Sequence, residues 1–298
     1  MCYDKEYQLQ SQLKRAYHSG MDESAIQKLI KEIETITGRP VIGNDIDEME
    51  LPGYFHVSGF AHPPMIVYPS LQPQKAAVAE WGFVPNWVKK KKEAYDPASP
   101  YNNNLNAQSQ TMFEKRAFGK AARYGRCVVQ IDAYYESHHY KGKTYPFRIY
   151  KKDGSPMLIA AICRKARFVD EETGEEIVKN VLATLTCEAN DKLAKIHNNP
   201  TMLKRGNGHR MLVILDEEQT NQYLQPYPTP PGQQGDPAAE KLFQDEIKHL
   251  CTAYPSELLD FHSVRNLRDR KDYPYIGNVP EIREEFIWPE MDYARVSP

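Results

Sequence analysis

Two groups on one carbon set the chemistry open to this chain: the α-amine and the thiol that Cys2 would present once Met1 is removed. A side chain as small as Cys permits that removal. The α-amine has a reference pKa of about 7.7–8.0 and a thiol about 8.5, against about 10.4 for a lysine amine. Both groups of residue 2 therefore hold a usable unprotonated fraction near neutral pH. An amine and thiol so placed condense with an aldehyde, first to a Schiff base and then to a five-membered thiazolidine. A chain that keeps Met1 has its amine locked in a peptide bond and cannot close that ring. A Cys beside an initiator is most often an accident of sequence, so its weight rests on what lies downstream.

Two stretches point to nucleic acid. Trp81-Gly82-Phe83-Val84-Pro85-Asn86-Trp87 runs into Lys89–Lys92, and aromatic faces beside a basic groove are how single strands are held. Between 115 and 126 stand Lys115, Arg116, Lys120, Arg123 and Arg126 with no acidic residue, a phosphate-contacting surface in the making. Gly142-Lys143-Thr144 reads like the tail of a phosphate loop, but the glycine needed five residues before Gly142 is Ser137, which rejects it. His138-His139 lacks a third ligand at a recognisable spacing, so neither a metal nor another cofactor is expected.

The 298 residues are 41% hydrophobic and 26% charged, ordinary for a globular protein with a full core. A net charge of −2 excludes a chain that coats nucleic acid indiscriminately and leaves room for a local basic cleft. Five cysteines (Cys2, Cys127, Cys163, Cys187, Cys251) without a C-x-x-C pair fit neither a disulfide framework nor a zinc ribbon. With no apolar signal region and no run of 18 apolar residues, a cytoplasmic protein without a membrane span is expected.

The elements that must position these residues follow from periodicity. Residues 5–36 read as amphipathic helices, with Leu9, Leu13 and Tyr17, then Ile26, Ile30 and Ile33, broken at Ser19-Gly20, and Asp22 as a cap. Short strands are expected at 54–57, 65–68 and 76–83. Residues 101–111 read as a polar loop leading to a helix at 112–122. Strands follow at 127–132, 145–150, 157–163, 181–186 and 211–215, a short capped helix at 192–196 ending in His197, and a helix at 239–251. Residues 226–238 are Pro-, Gly- and Gln-rich and read as an exposed loop. With no repeat and no linker, the expectation is one α+β domain over 1–298 with a mostly antiparallel, barrel-like sheet flanked by helices.

Taken in order, Cys2, the Trp81-Gly82-x-x-Pro85-x-Trp87 run, Asn106-Ala107 before Ser109, Tyr135-Glu136 after a strand ending in Asp132, Ala189-Asn190 with Ile196-His197, and the Met211–Leu215 strand resemble the SOS-response-associated peptidase (SRAP) family. The family processes abasic sites in DNA. The resemblance implies that mature Cys2 forms the covalent link, that Asn106 positions the N-terminal group and the sugar, and that Glu136 and His197 move protons. A carboxyl in a partly apolar pocket suits acid work in opening the sugar ring and losing water, and a neutral imidazole suits proton transfer. It further implies a monomer acting on single-stranded DNA with abasic sites, through Trp81, Pro85, Trp87, Gln108 and Ser109 beside the cations Lys115, Arg116, Arg123 and Arg126. Peptidase activity on Met1 and a DNA-lyase side reaction come with it.

Each of these residues also has a plainer reading. Asn106 closes a turn, Glu136 is a strand carboxylate, and His197 is a helix C-terminal histidine favoured by the dipole; His209 competes with it. The chain departs from the family where Tyr3-Asp4 replaces Gly-Arg and Gln108 replaces Arg. Each lost phosphate contact flattens the salt dependence by about 0.9 log unit per log salt on duplex DNA. Two other functions stay open: a thiol peptidase or amidohydrolase with Cys2 as nucleophile, and a non-catalytic single-strand-binding protein.

Overall fold

The computed structural model describes residues 2–296 apart from 19, 44–45, 47, 70–72 and 272; Met1 and Ser19, named above, lie outside the described residues. The elements run β1 (Asp4–Gln8), α1 (Leu9–His18), α2 (Glu23–Thr37), β2 (Gly53–Ser58), β3 (Pro64–Tyr68), β4 (Ala77–Trp81), α3 (Lys91–Tyr95), β5 (Asn106–Gln108), α4 (Gly119–Tyr124) and β6 (Arg126–Ile131). Then come β7 (Ala133–Tyr140), β8 (Lys143–Lys151), β9 (Met157–Val169), β10 (Glu176–Glu188), α5 (Asp191–Ile196), α6 (Pro200–Lys204), β11 (Arg210–Leu212), β12 (Ile214–Leu215), α7 (Glu217–Tyr223), α8 (Pro237–Leu250) and β13 (Leu259–Ser263).

Five strands close into a barrel in the order β10-β4-β3-β6-β9 and back to β10. All its pairings are antiparallel except β10 with β4, which is parallel. The sequence of β9 shows why it is central. Its first half, including Ile159, Ala160, Ala161 and Ile162, is buried on both faces, while its second half alternates buried and exposed. A continuous apolar run suits a strand covered on both sides, and alternation suits one with a wet face. The Met211–Leu215 run crosses between neighbours: β11 pairs with β10, β12 with β9, and Val213 bonds to Leu185 and Ala160 on the way.

A second, antiparallel sheet has the order β13-β8-β7-β1-β2. With helices packed on these layers the protein is one α+β domain, as expected. The first correction falls on its second member from the edge: residues 5–8, read above as the start of a helix, belong to β1. Lys5 and Tyr7 are wholly buried and Glu6 is 2% exposed, so burial on a strand overrides the helical spacing that begins only at Leu9. The N-terminal helices otherwise stand as read, with Asp22 capping α2 through Ala25 N at 2.8 Å. The second correction is the helix expected at 112–122. Residues 109–118 form successive turns and helix appears only at α4, whose Arg123 bonds the carbonyls of Phe113 and Gly119. Among the described residues no helix is long and apolar enough to cross a membrane.

β1 is fixed by charge as well as by its ladder. Glu6 accepts from Arg148 Nε at 2.6 Å, Arg283 Nη1 at 3.4 Å and Tyr135 Oη at 3.5 Å. Replacing Arg148 by Met leaves this buried carboxylate only its weaker partners. The expected loss is about 3 kcal/mol, the low end for breaking a buried pair because Arg283 remains. Urea unfolding measures it; a loss under about 1 kcal/mol would mean that Arg148 does not hold the strand.

Candidate active site

The register of β1 decides where residue 2 sits. Asp4 pairs with Tyr135 on β7 and Lys5 with Tyr134, so the chain entering β1 runs beside Glu136. Cys2 is fully buried there, within the field of the Glu136 side chain. Burial first, then the field of Glu136, pushes the thiol well above its ordinary value. Tyr3 takes Gly59 N on its carbonyl at 2.7 Å and lays its ring 5.1 Å from that of Phe60. Its phenol is pushed up to about 12 by burial and the neighbouring Glu136 and Cys2.

Asn106 arrives on β5, which pairs in parallel with β10 so that Asn106 faces Thr184. Its Nδ2 donates to the Cys2 carbonyl at 3.2 Å and its Oδ1 accepts from Thr184 Oγ1 at 2.6 Å. His197 ends α5, whose start is capped by Asn190 accepting from Leu193 N. The end of α5 is clamped to β7 by His138 Nδ1 with the Lys195 carbonyl at 2.8 Å and by Asn198 with the backbone of His139. His197 is buried, which lowers its pKa against the field of Glu136. Its Nδ1 accepts from Arg210 N at 3.1 Å, so the neutral ring carries its proton on Nε2. His209, the competitor, instead has Nδ1 against the His197 carbonyl at 2.7 Å and supports that residue from behind. Cys2, Asn106, Glu136 and His197 thus converge from four separate parts of the chain.

The residues expected to face DNA divide in two. Trp81, Pro85, Ser109 and Arg126 are interior, which corrects their reading as contacts. Trp81 donates Nε1 to the Leu105 carbonyl at 2.7 Å; Ser109 lies against the Cys251 carbonyl. Arg126 uses its guanidinium on the carbonyls of Ala122, Arg123, Tyr223 and Gln225, closing a chain turn where an exposed arginine would reach phosphate. Arg123 is likewise half-buried on carbonyls. Lys115, Arg116 and Lys120 are exposed, Arg116 4.5 Å above the half-buried Trp87 ring. Gln108 is half-buried and reaches Asn207. Asp4, the charge of unexpected sign, is matched by Arg268 Nη2 at 2.6 Å and His56 Nε2 at 3.0 Å.

Lys5 and Thr184 escaped the sequence reading. Lys5 is wholly buried with Nζ 3.0 Å from the centre of the Trp81 ring and 3.4 Å from Thr184 Oγ1. Burial pulls its pKa down to about 7, against the fields of Cys2, Asp4 and Glu136. The signal was the alternation Tyr3-x-Lys5-x-Tyr7, which has the period of a strand; a lysine in the middle of it disguised the apolar face. Thr184 sat unremarked inside an apolar strand.

The sequence matches the family profile described as SOS response associated peptidase (SRAP) over residues 23–266, a span that includes Asn106, Glu136 and His197 and stops short of Cys2. The "Abasic site processing protein YoaM" of Bacillus subtilis (strain 168) is 28% identical over 188 residues, covering 63% of this chain and 67% of that protein. The "Abasic site processing protein YedK" of Escherichia coli (strain K12) is 32% identical over 82 residues, covering 28% of this chain and 32% of that protein. A crystal structure of a Bacteroides thetaiotaomicron protein superposes with a TM-score of 0.66 at 23% identity, covering 96% of this chain and all of the other. One from Bordetella bronchiseptica gives 0.53 at 19%, covering 89% and all of the other. At these identities the structures speak for the fold alone.

The titration of Lys5 has a consequence for stability. Its pKa is about 7 in the fold and about 10.4 unfolded, so between those values the unfolded chain binds more protons and stability rises with pH. Below about pH 7 the full penalty of the buried charge is present. Lys5→Met removes it. Its melting temperature is therefore expected to exceed the wild type's most at about pH 6.5 and least near pH 10, by calorimetry across that range. A constant difference would mean that Lys5 does not titrate there.

Proposed function

The chain belongs to the SOS response associated peptidase family, and on that basis we propose that it processes abasic sites in DNA by trapping them on Cys2. The observation that supports this most is the convergence of Cys2, Asn106, Glu136 and His197, with Asn106 bonded to the Cys2 carbonyl and Glu136 in the field of both Cys2 and His197. The enzyme-like work begins with hydrolysis of the Met1–Cys2 peptide bond, which consumes one water and frees the amine. The amine then adds to C1′ of the ring-opened sugar, and loss of one water gives the imine. The thiol sulfur attacks the imine carbon while the thiol proton passes to nitrogen, closing the thiazolidine. No oxidant or reductant is needed, and the sum is aldehyde plus aminothiol giving ring plus water.

The electrostatics favour that order. A buried thiol raised well above its ordinary pKa is a poor opening nucleophile, since the thiolate is the reactive form; the same fact weakens a thiol-peptidase reading. Glu136, beside the thiol, is placed to protonate the sugar oxygen and the departing hydroxyl. Neutral His197 offers an Nε2–H, so it serves by donating a hydrogen bond and relaying a proton. Asn106 holds the residue-2 carbonyl and so the direction of its amine. A Schiff base at C1′ also acidifies the C2′ protons, which opens a strand-cleaving lyase side reaction. Lys115, Arg116 and Lys120 with the Trp87 edge form the strand-facing surface, suited to single-stranded DNA.

Incubation with an abasic single-stranded oligonucleotide, denaturation without borohydride and intact-mass measurement test this. Wild type is expected to gain the oligonucleotide mass less one water. Cys2→Ala is expected to give no stable adduct, and Glu136→Gln to form it about 10²-fold more slowly, the low end for loss of an acid–base group. Absence of an adduct with wild type would overturn the proposal, and an unchanged Glu136→Gln rate would remove the carboxyl from the chemistry.

A further inference from the structure

We propose that Lys5 is a positioning residue for the chemistry at residue 2: its ammonium, seated on the face of Trp81, sets the direction of a hydrogen-bond relay from Thr184 through Asn106 to the Cys2 carbonyl. The inference rests on the crosslinking reading above and adds to it a residue outside the span matched by the family profile.

The relay is fixed by counting protons. An ammonium has only donors, so at 3.4 Å Lys5 Nζ donates to Thr184 Oγ1. The threonine hydroxyl then has one proton, which goes to Asn106 Oδ1 at 2.6 Å. With its oxygen engaged, Asn106 presents Nδ2 to the Cys2 carbonyl at 3.2 Å. The opposite amide orientation would set oxygen against oxygen at the Cys2 carbonyl. The Cys2 carbonyl thus fixes the amide orientation, and the charge at Lys5 commits the Thr184 proton to Asn106 Oδ1, tightening the side chain that holds the reactive residue.

Lys5 is an expensive residue to place there if it only fills space, because a buried charge with no ion-pair partner among the described residues is strongly disfavoured. The fold accommodates it specifically. The Trp81 ring supplies a negative face at 3.0 Å for a desolvated cation, and the indole is locked by its bond to Leu105. Gly59 permits that closeness, since a Cβ there would meet Leu105 at 2.8 Å and the Trp81 ring at 3.0 Å. The titratable and charged groups facing Lys5 are Asp4 from its own strand, Cys2 from the segment before it, and Tyr134 and Glu136 from β7; β4 and β10 offer the Trp81 ring and the Thr184 hydroxyl. Asp4 is already engaged by Arg268 and His56.

The neutral amine of Lys5 both donates and accepts, so Thr184 can turn its proton back toward Lys5 and release Asn106. Loss of the Lys5 proton near neutrality therefore weakens the relay from within. Its contribution is largest on the acid side of neutral and fades as pH rises.

The test compares wild type, Lys5→Met and Thr184→Val in two measurements. The first is the rate of adduct formation with saturating abasic oligonucleotide from about pH 6 to pH 8.5, beside affinity for the undamaged strand. Both variants are expected to react about tenfold more slowly near pH 6, as for a displaced reacting group, with undamaged-strand affinity within about twofold. The wild-type advantage over Lys5→Met should shrink toward pH 8.5. The second needs no DNA: the Asn106 side-chain amide signals in nitrogen-edited NMR should shift in both variants. If wild type forms no adduct but those signals move, the crosslinking reading fails and the relay stands. Unmoved amide signals, or rates equal to wild type in folded variants, would overturn the role of Lys5.

Discussion

The structure depends on three consecutive charged residues in one strand, Lys5 and Glu6 buried and Asp4 half-buried, each with partners that fit no other. In β1, Asp4 meets Arg268 and His56, Lys5 lies on Trp81, and Glu6 takes Arg148 and Arg283. A slip of one residue would bring Glu6 to an aromatic face in one direction, or Lys5 to two guanidiniums in the other. Either would leave a buried charge against like charge or a repelling ring face, which costs several kcal/mol. A one-residue slip also turns every side chain to the other face of the strand, and the matched charges add to that constraint. The register they enforce is what delivers Cys2 to Glu136.

That delivery explains why the site is interior. Burial keeps the thiol protonated and the imidazole neutral, while Lys5 titrates near neutral pH. In water these groups would differ little from free side chains. Here burial is the leading cause of each shift, so water exclusion arranges the protonation states and the Asn106 bond arranges the geometry. The sheets meet the same need from two sides: β7 brings Glu136 and the barrel strand β10 brings Thr184, with α5 supplying His197 from its end.

Much of this was legible in the chain. The barrel strands announced themselves by apolar runs and alternation, the caps at Asp22 and Asn190 by their side chains, and the loop at 226–238 by composition. The four residues of the pocket were readable only through a family resemblance, since no local pattern links Cys2 to Asn106, Glu136 or His197. Two failures have a common physical cause. Lys5 was assigned to a solvated helix start and Arg126 to a phosphate surface because a charge in sequence reads as exposed. In the fold, one is paid for by an indole face and the other by four backbone carbonyls. Trp81 failed in the opposite sense, an aromatic read as a stacking platform that serves as an internal cation seat.

The most direct test of the account is peptide mapping of the crosslinked product. After reaction with an abasic single strand, nuclease trimming and proteolysis, mass spectrometry locates the sugar remnant. The account predicts it on a peptide that begins at Cys2, with Met1 absent and both nitrogen and sulfur of that residue in the ring. A remnant on a lysine, or on chains that retain Met1, would contradict it.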